Sequence, residues 1–301
     1  MVNFVLIAIC IAAGMLFRVS KKLPADAHRG INAWIIYVAL PAVSFKYLPH
    51  ITWTRDLLVA VAAPVMVWLG GWVMVKIYSK FKPLDQRTEG SLRLMGGLAN
   101  TSFVGFPLIA AYFGEKYISI AIICDQITFL LLSTAGVVVA INASKKQALS
   151  AKVVLERVLR FPPFLGCMGA LIIPHFINIS VADPLFDKLA ATVAPLALFS
   201  IGLQLQFKGW LSEVKNISVT LVYKLILAPL LVLAFFLCLG IKGIIPQISL
   251  FEAAMPTLLT AGVVADEYGL NPKLSNLIIG IGILLSLLTT AVWSLVIHAV
   301  L

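Results

Sequence analysis

Long apolar runs with few or no charges, separated by short clusters of Lys, Arg, Gly and Pro, recur from one end of this 301-residue chain to the other. A helix needs about 20 predominantly apolar residues to cross the hydrocarbon core of a bilayer. The pattern therefore predicts an all-α polytopic membrane protein with about ten transmembrane helices, near residues 2–17, 30–46, 57–79, 91–113, 117–142, 161–178, 186–207, 216–240, 249–268 and 274–300. Five spans followed by five more make the second half enter the membrane from the opposite side. The expected organisation is a first five-helix repeat over 1–142, a cytoplasmic linker over 143–160, and a second, inverted repeat over 161–301. The linker sequence SKKQALSAKVVLERVLR sets Lys and Arg around an apolar VVL, the pattern of a short interfacial helix or of a solvated charged segment.

Composition agrees: 61% of residues are hydrophobic and 12% charged, with a mean hydropathy of +1.02. Soluble domains carry about 25% charge, so soluble-enzyme classes are excluded. The net charge of +10 reads as orientation, because basic residues gather in cytoplasmic loops. Seventeen Lys and Arg fall in the odd-numbered connections and five in the even ones. That asymmetry places the odd connections in the cytoplasm, with both termini extracytoplasmic in a multi-pass cell inner (plasma) membrane protein. The uncharged start, with no A-x-A-like cleavage site, predicts a retained first helix. No nucleic-acid partner is expected. Cys10, Cys124, Cys167 and Cys238 lie in apolar runs without ligand spacing and read as buried free thiols. His175 and His298 have no partner at ligand spacing, so neither a metal nor another cofactor is expected.

Polar residues break the pattern in two corresponding places. The fourth span carries Gly96, Gly97, Asn100, Thr101, Ser102, Gly105 and Pro107; the ninth carries Pro256, Thr257, Thr260 and Gly262. Proline disrupts the helical ladder, and lipid cannot satisfy the backbone groups that are freed. Interrupted helices at matching positions of inverted repeats mark the midplane binding site of many transporters. The second and seventh spans add Pro41 with Ser44, and Pro195 with Ser200 and Gln204, as second-tier lining candidates.

Ionisable residues within spans are functional-site candidates. Asp125, beside Gln126 in the fifth span, could carry a proton or ligate sodium. Lys224 in the eighth span could pair with Asp125, hold an anion or snorkel to an interface, and snorkelling is the expectation. Glu252 is expected near the outer vestibule, and Asp266 and Glu267 at the cytoplasmic rim.

The strings NTSFVGFPLIAAYFG at 100–114, ALPAVSF at 39–45, LALFSIGL at 196–203 and ADEYGLNPKLSNLIIGIGILLSLL from Ala265 together resemble the auxin efflux carrier family. That family includes the plant PIN-formed auxin exporters and bacterial members linked to malate, malonate and related acids. The resemblance implies a fold similar to bile-acid/sodium symporters, with scaffold and transport domains, helices 4 and 9 crossing at their prolines, and elevator-type movement. It implies a small organic anion whose carboxylate sits by Asn100 and the Pro107 and Pro256 breaks. Asp125 departs from the uncoupled transport of the plant members and leaves proton or sodium coupling open.

The function expected is secondary transport of small organic anions, carboxylic or auxin-like acids. Asn100, Thr101, Pro107, Pro256 and Thr257 would form the binding crossing, and Asp125, Gln126, Ser44, Ser200 and Gln204 would stand around it. A homodimer is left open. The rivals are a sodium-coupled bile-acid-like symporter, a channel, and an intramembrane aspartyl protease using Asp125 and Asp266.

Overall fold

A computed structural model describes residues 2–301 apart from 25, 52–53, 145–155, 157–158 and 206–209. Most of the linker, and with it the expected interfacial helix, lies outside the described residues. Among the described residues six helices are long and apolar enough to cross a membrane: Ala27–His50, Leu57–Phe81, Glu115–Ser144, Ser180–Gln204, Trp210–Cys238 and Pro272–Val300. Asn3–Val19, Thr101–Tyr112 and Ile244–Ala253 are shorter apolar helices. The protein is an all-helical, multi-pass membrane protein. Two of the short helices are pieces of the interrupted fourth and ninth segments: Gln86–Gly97 stops before Thr101–Tyr112, and Ile244–Ala253 stops before Leu259–Glu267.

By internal packing the chain divides into two compact units, residues 1–54, 102–122 and 156–205, and residues 55–101, 123–155 and 206–301. Each draws on both halves of the sequence. Within the first, helix Val2–Val19 lies along Val193–Gln204. There the backbones of Gly14 and Gly202 meet so closely that a Cβ on Gly14 would stand 2.8 Å from the Gly202 Cα. Small residues that let backbones approach are how helices associate where lipid offers no hydrophobic drive. Within the second unit, Leu57–Phe81 packs on Gln86–Gly97, Ala228–Cys238 and Ile244–Ala253, and Pro272–Val300 covers Gln86–Gly97 and Val214–Val222. A Cβ on Gly71 would lie 2.9 Å from the Gly97 amide nitrogen.

Three prolines share one local solution. Pro41, Pro107 and Pro229 each follow, two residues on, the end of a one-turn π-helix, at Ile35–Ala39, Thr101–Gly105 and Tyr223–Leu227. Proline has no N–H, and its ring collides with the carbonyl four residues back; a wider turn ahead of it gives that carbonyl room. For Pro229 the carbonyl is that of Leu225, and it accepts the indole N–H of Trp293 at 2.8 Å. The helix crosses its proline without an orphaned acceptor.

The thiols correct the expectation of burial. Cys124 is buried, Cys10 and Cys167 are half-buried, and Cys238 is exposed. An apolar run in a membrane helix supplies the lipid-facing surface as well as the core, so apolar surroundings in sequence do not specify an interior.

Candidate binding site

The site forms in the second unit, where the two interrupted segments leave helical geometry. After Gly96 and Gly97 the chain extends at Leu98, with φ −117° and ψ 127°. After Ala253 it turns, and Leu258 is again extended, with φ −61° and ψ 127°. Ala99 and Thr257 pair as an antiparallel bridge. The Asn100 N–H donates to the Pro256 carbonyl at 2.8 Å, and the Leu258 N–H donates to the Leu98 carbonyl at 3.1 Å. Each interruption therefore supplies the backbone partners that lipid could not give the other.

Side chains close the freed helix ends. The last carbonyls of a helix have no intrahelical donor. The Thr257 hydroxyl donates to the Met95 carbonyl at 2.8 Å, capping Gln86–Gly97. The Lys224 ammonium donates to the Ala253 carbonyl at 3.0 Å, capping Ile244–Ala253 and setting a cation at the negative end of the helix dipole. Lys224 is 0% exposed, which corrects the snorkelling expectation. A helix end that must be capped in a dry interior holds the ammonium more strongly than a distant interface does. Glu252 is 1% exposed and belongs to the core of this unit, not to a vestibule.

Asn100 is 0% exposed, and neither its Oδ1 nor its Nδ2 has a hydrogen-bond partner among the described residues. Such a group is costly unless something else satisfies it. Thr101 donates its hydroxyl to Asp125 Oδ1 at 2.6 Å, and both are buried. Gln126, next to Asp125, has a buried Oε1 with no partner among the described residues. The structure thus brings together Asn100, Thr101, Asp125, Pro256 and Thr257, with Gln126 adjacent in sequence to Asp125.

The other candidates fall in the first unit. Ser200 donates to Asn32 Oδ1 at 2.5 Å, and Gln204 Nε2 donates to the Ser200 carbonyl at 3.2 Å and hydroxyl at 3.1 Å. Ser44 returns its hydroxyl to the Leu40 carbonyl at 3.3 Å. Pro107 is not at the interruption, which lies at 98–100; it lies inside the helix Thr101–Tyr112, just after the π-turn Thr101–Gly105 that accommodates it. With Asn3, Lys46, Tyr47, Glu115 and Pro195 it lines a cavity of about 220 Å³ in the first unit. Asp266 is exposed at the end of Leu259–Glu267, whereas Asp125 is buried, so the two do not share an environment.

Lys224 and Glu252 were not among the residues assigned to the site from sequence. Their signal was present, as charges inside apolar segments, but nothing local shows that residues 224, 252 and 125 share one interior.

Comparison with known proteins agrees with the helical membrane architecture. The chain belongs to the family described as membrane transport protein, whose profile matches residues 2–294. This family member is 24% identical over 296 residues to an uncharacterized transporter of Methanothermobacter thermautotrophicus, covering 96% of each chain. It is 25% identical over 281 residues, 88% of this chain and 86% of the other, to a Rhizobium meliloti protein provisionally named a malonate transporter. Auxin efflux carrier component 8 of Arabidopsis thaliana is 29% identical over 97 residues, 32% of this chain and 26% of the plant protein. The resemblance to auxin efflux carriers read from the four sequence strings holds at the level of the family, and the protein is a membrane transporter.

Proposed function

We propose that this transporter is a secondary carrier of small organic anions, carboxylic or auxin-like acids, that binds its substrate where the fourth and ninth of ten helices cross. In this reading two inverted five-helix repeats, 1–142 and 161–301, place both termini outside the inner membrane. The substrate site moves with one domain against the other as an elevator. The observation that carries the site is the Asn100 amide, wholly buried at the paired interruption with both polar atoms unpartnered among the described residues. A carboxylate accepts from Nδ2 and removes the donor's share of that cost. The N-terminal end of Leu259–Glu267, which follows the same interruption, supplies a positive dipole end suited to an anion. The provisional name of the Rhizobium relative and the auxin name of the plant relative support an acid as the cargo. Thr101 and Thr257 shape the site, Gln126 is a lining candidate, and Asp125 takes part in the ion coupling. Pro107, Ser44, Ser200 and Gln204 remain second-tier candidates in this reading.

The test is uptake of radiolabelled malonate and indole-3-acetate into proteoliposomes. Wild type takes up one of them saturably and exchanges it against unlabelled acid. Asn100→Ala loses that uptake while its thermal unfolding and monodispersity in detergent stay unchanged. Unchanged uptake in Asn100→Ala refutes the site, and absence of uptake of any acid refutes the anion reading.

A further inference from the structure

Among the described residues, the interior of the second unit holds two buried carboxyls and one buried ammonium, whose formal charges do not cancel. Asp125 is 7% exposed, Lys224 0% and Glu252 1%. The charges of Asp125 and Lys224 both act on the Glu252 carboxyl, and the Cys124 thiol feels Glu252 in turn. Helices Leu57–Phe81 and Pro272–Val300 pack on Ile244–Ala253, but their own charged residues Lys76, Lys80, Lys273 and His298 lie at helix ends. The local balance is therefore two carboxyls against one ammonium.

The three groups are not equivalent. Asp125 accepts the Thr101 hydroxyl, a donor suited to a carboxylate. Lys224 donates to the Ala253 carbonyl, the residue after Glu252. Neither oxygen of Glu252 has a hydrogen-bond partner among the described residues. An ionised carboxylate with no donor in a dry interior is the most expensive of the three states, and a neutral carboxyl is the least. One proton on Glu252 leaves Asp125 and Lys224 as one charge of each sign.

We propose that Asp125, Lys224 and Glu252 form one charge-balancing cluster that binds a single exchangeable proton, seated on Glu252. The cluster makes the proton the coupling ion of the carrier, a consequence that rests on the anion-carrier reading; the proton site itself does not. A sodium ion fits less well, since hard cations gather several oxygens and the Lys224 ammonium already stands beside Glu252.

Difference infrared spectroscopy of the purified full chain, titrated from about pH 5 to about pH 9, reads the carbonyl stretch of a protonated carboxyl and needs no substrate. Wild type shows one such band that disappears on alkalinisation. Glu252→Gln removes it, and Glu252→Asp keeps it at a displaced frequency. Asp125→Asn loses the band near neutral pH, because Glu252 and Lys224 then balance. The proposal is overturned by a wild-type chain without the band, by a band that survives Glu252→Gln, by an unmoved frequency in Glu252→Asp, or by a band that follows added sodium and not pH. In proteoliposomes, an imposed pH gradient drives whichever of radiolabelled malonate and indole-3-acetate the wild type takes up, and Glu252→Gln abolishes the response to the gradient. If wild type moves neither malonate nor indole-3-acetate while the infrared pattern holds, the anion reading fails and the proton site stands.

Discussion

The hydroxyl of Thr101 donates to Oδ1 of Asp125 across 2.6 Å, joining the residue that resumes the interrupted fourth segment to the buried carboxyl of the fifth. An amide at 125 can still accept that hydroxyl, so Asp125→Asn removes the charge and spares the bond. Asp125→Asn is expected to fold as wild type does and to flatten the pH dependence of transport in proteoliposomes. A normal pH profile with normal activity would make the carboxyl structural. Thr101→Val costs Asp125 this donor and should destabilise the fold by about 1.5–3 kcal/mol, the range for hydrogen bonds to charged groups.

Thr257 holds the paired interruption from the side. Its hydroxyl reaches the Met95 carbonyl, 162 residues away in sequence, and valine keeps the shape without the donor. Thr257→Val should lower stability by about 1–3 kcal/mol, the cost of leaving a buried acceptor unsatisfied, seen as a lower thermal unfolding midpoint in detergent. An unchanged midpoint would mean that the Met95 carbonyl finds another donor.

Trp293 repairs the gap left by Pro229. Trp293→Phe should destabilise by about 1–3 kcal/mol, because the Leu225 carbonyl loses the indole N–H and proline offers none. In the Pro229→Ala background a backbone N–H becomes available, and the same Trp293→Phe change should cost clearly less. A double-mutant cycle measures that difference; strict additivity would refute the repair.

Asp85 caps helix Gln86–Gly97. The Thr88 side chain, and then the backbone N–H groups of Thr88 and Arg87, hold its carboxyl below the usual range. A carboxyl depressed on folding contributes stability that is full above its unfolded value, near pH 4, and that is lost as pH falls through the lower folded value. Asp85→Ala should cost about 1 kcal/mol at neutral pH, and the gap from wild type should close in acid. A gap that persists well below pH 3 would assign the effect to something other than the ionised cap.

What could be read from the sequence was local. Hydropathy is a property of consecutive residues, so it determined the membrane class, most of the helices and the two neighbourhoods where helix gives way. It also marked Asn100, Thr101, Asp125, Pro256 and Thr257 as polar groups set in lipid-length segments. It placed the fourth break at Pro107 because proline is the strongest local breaker. The tertiary structure decided otherwise: a π-turn accommodates Pro107, and the chain extends at 98–100 because residues 256–258 offer it backbone partners. The same holds for Lys224 and Glu252. An ammonium in an apolar span snorkels when judged alone, and it stays buried because it caps a helix end close to the Glu252 carboxyl in the folded chain. Those pairings join residues brought together from distant segments, and only packing chooses among them.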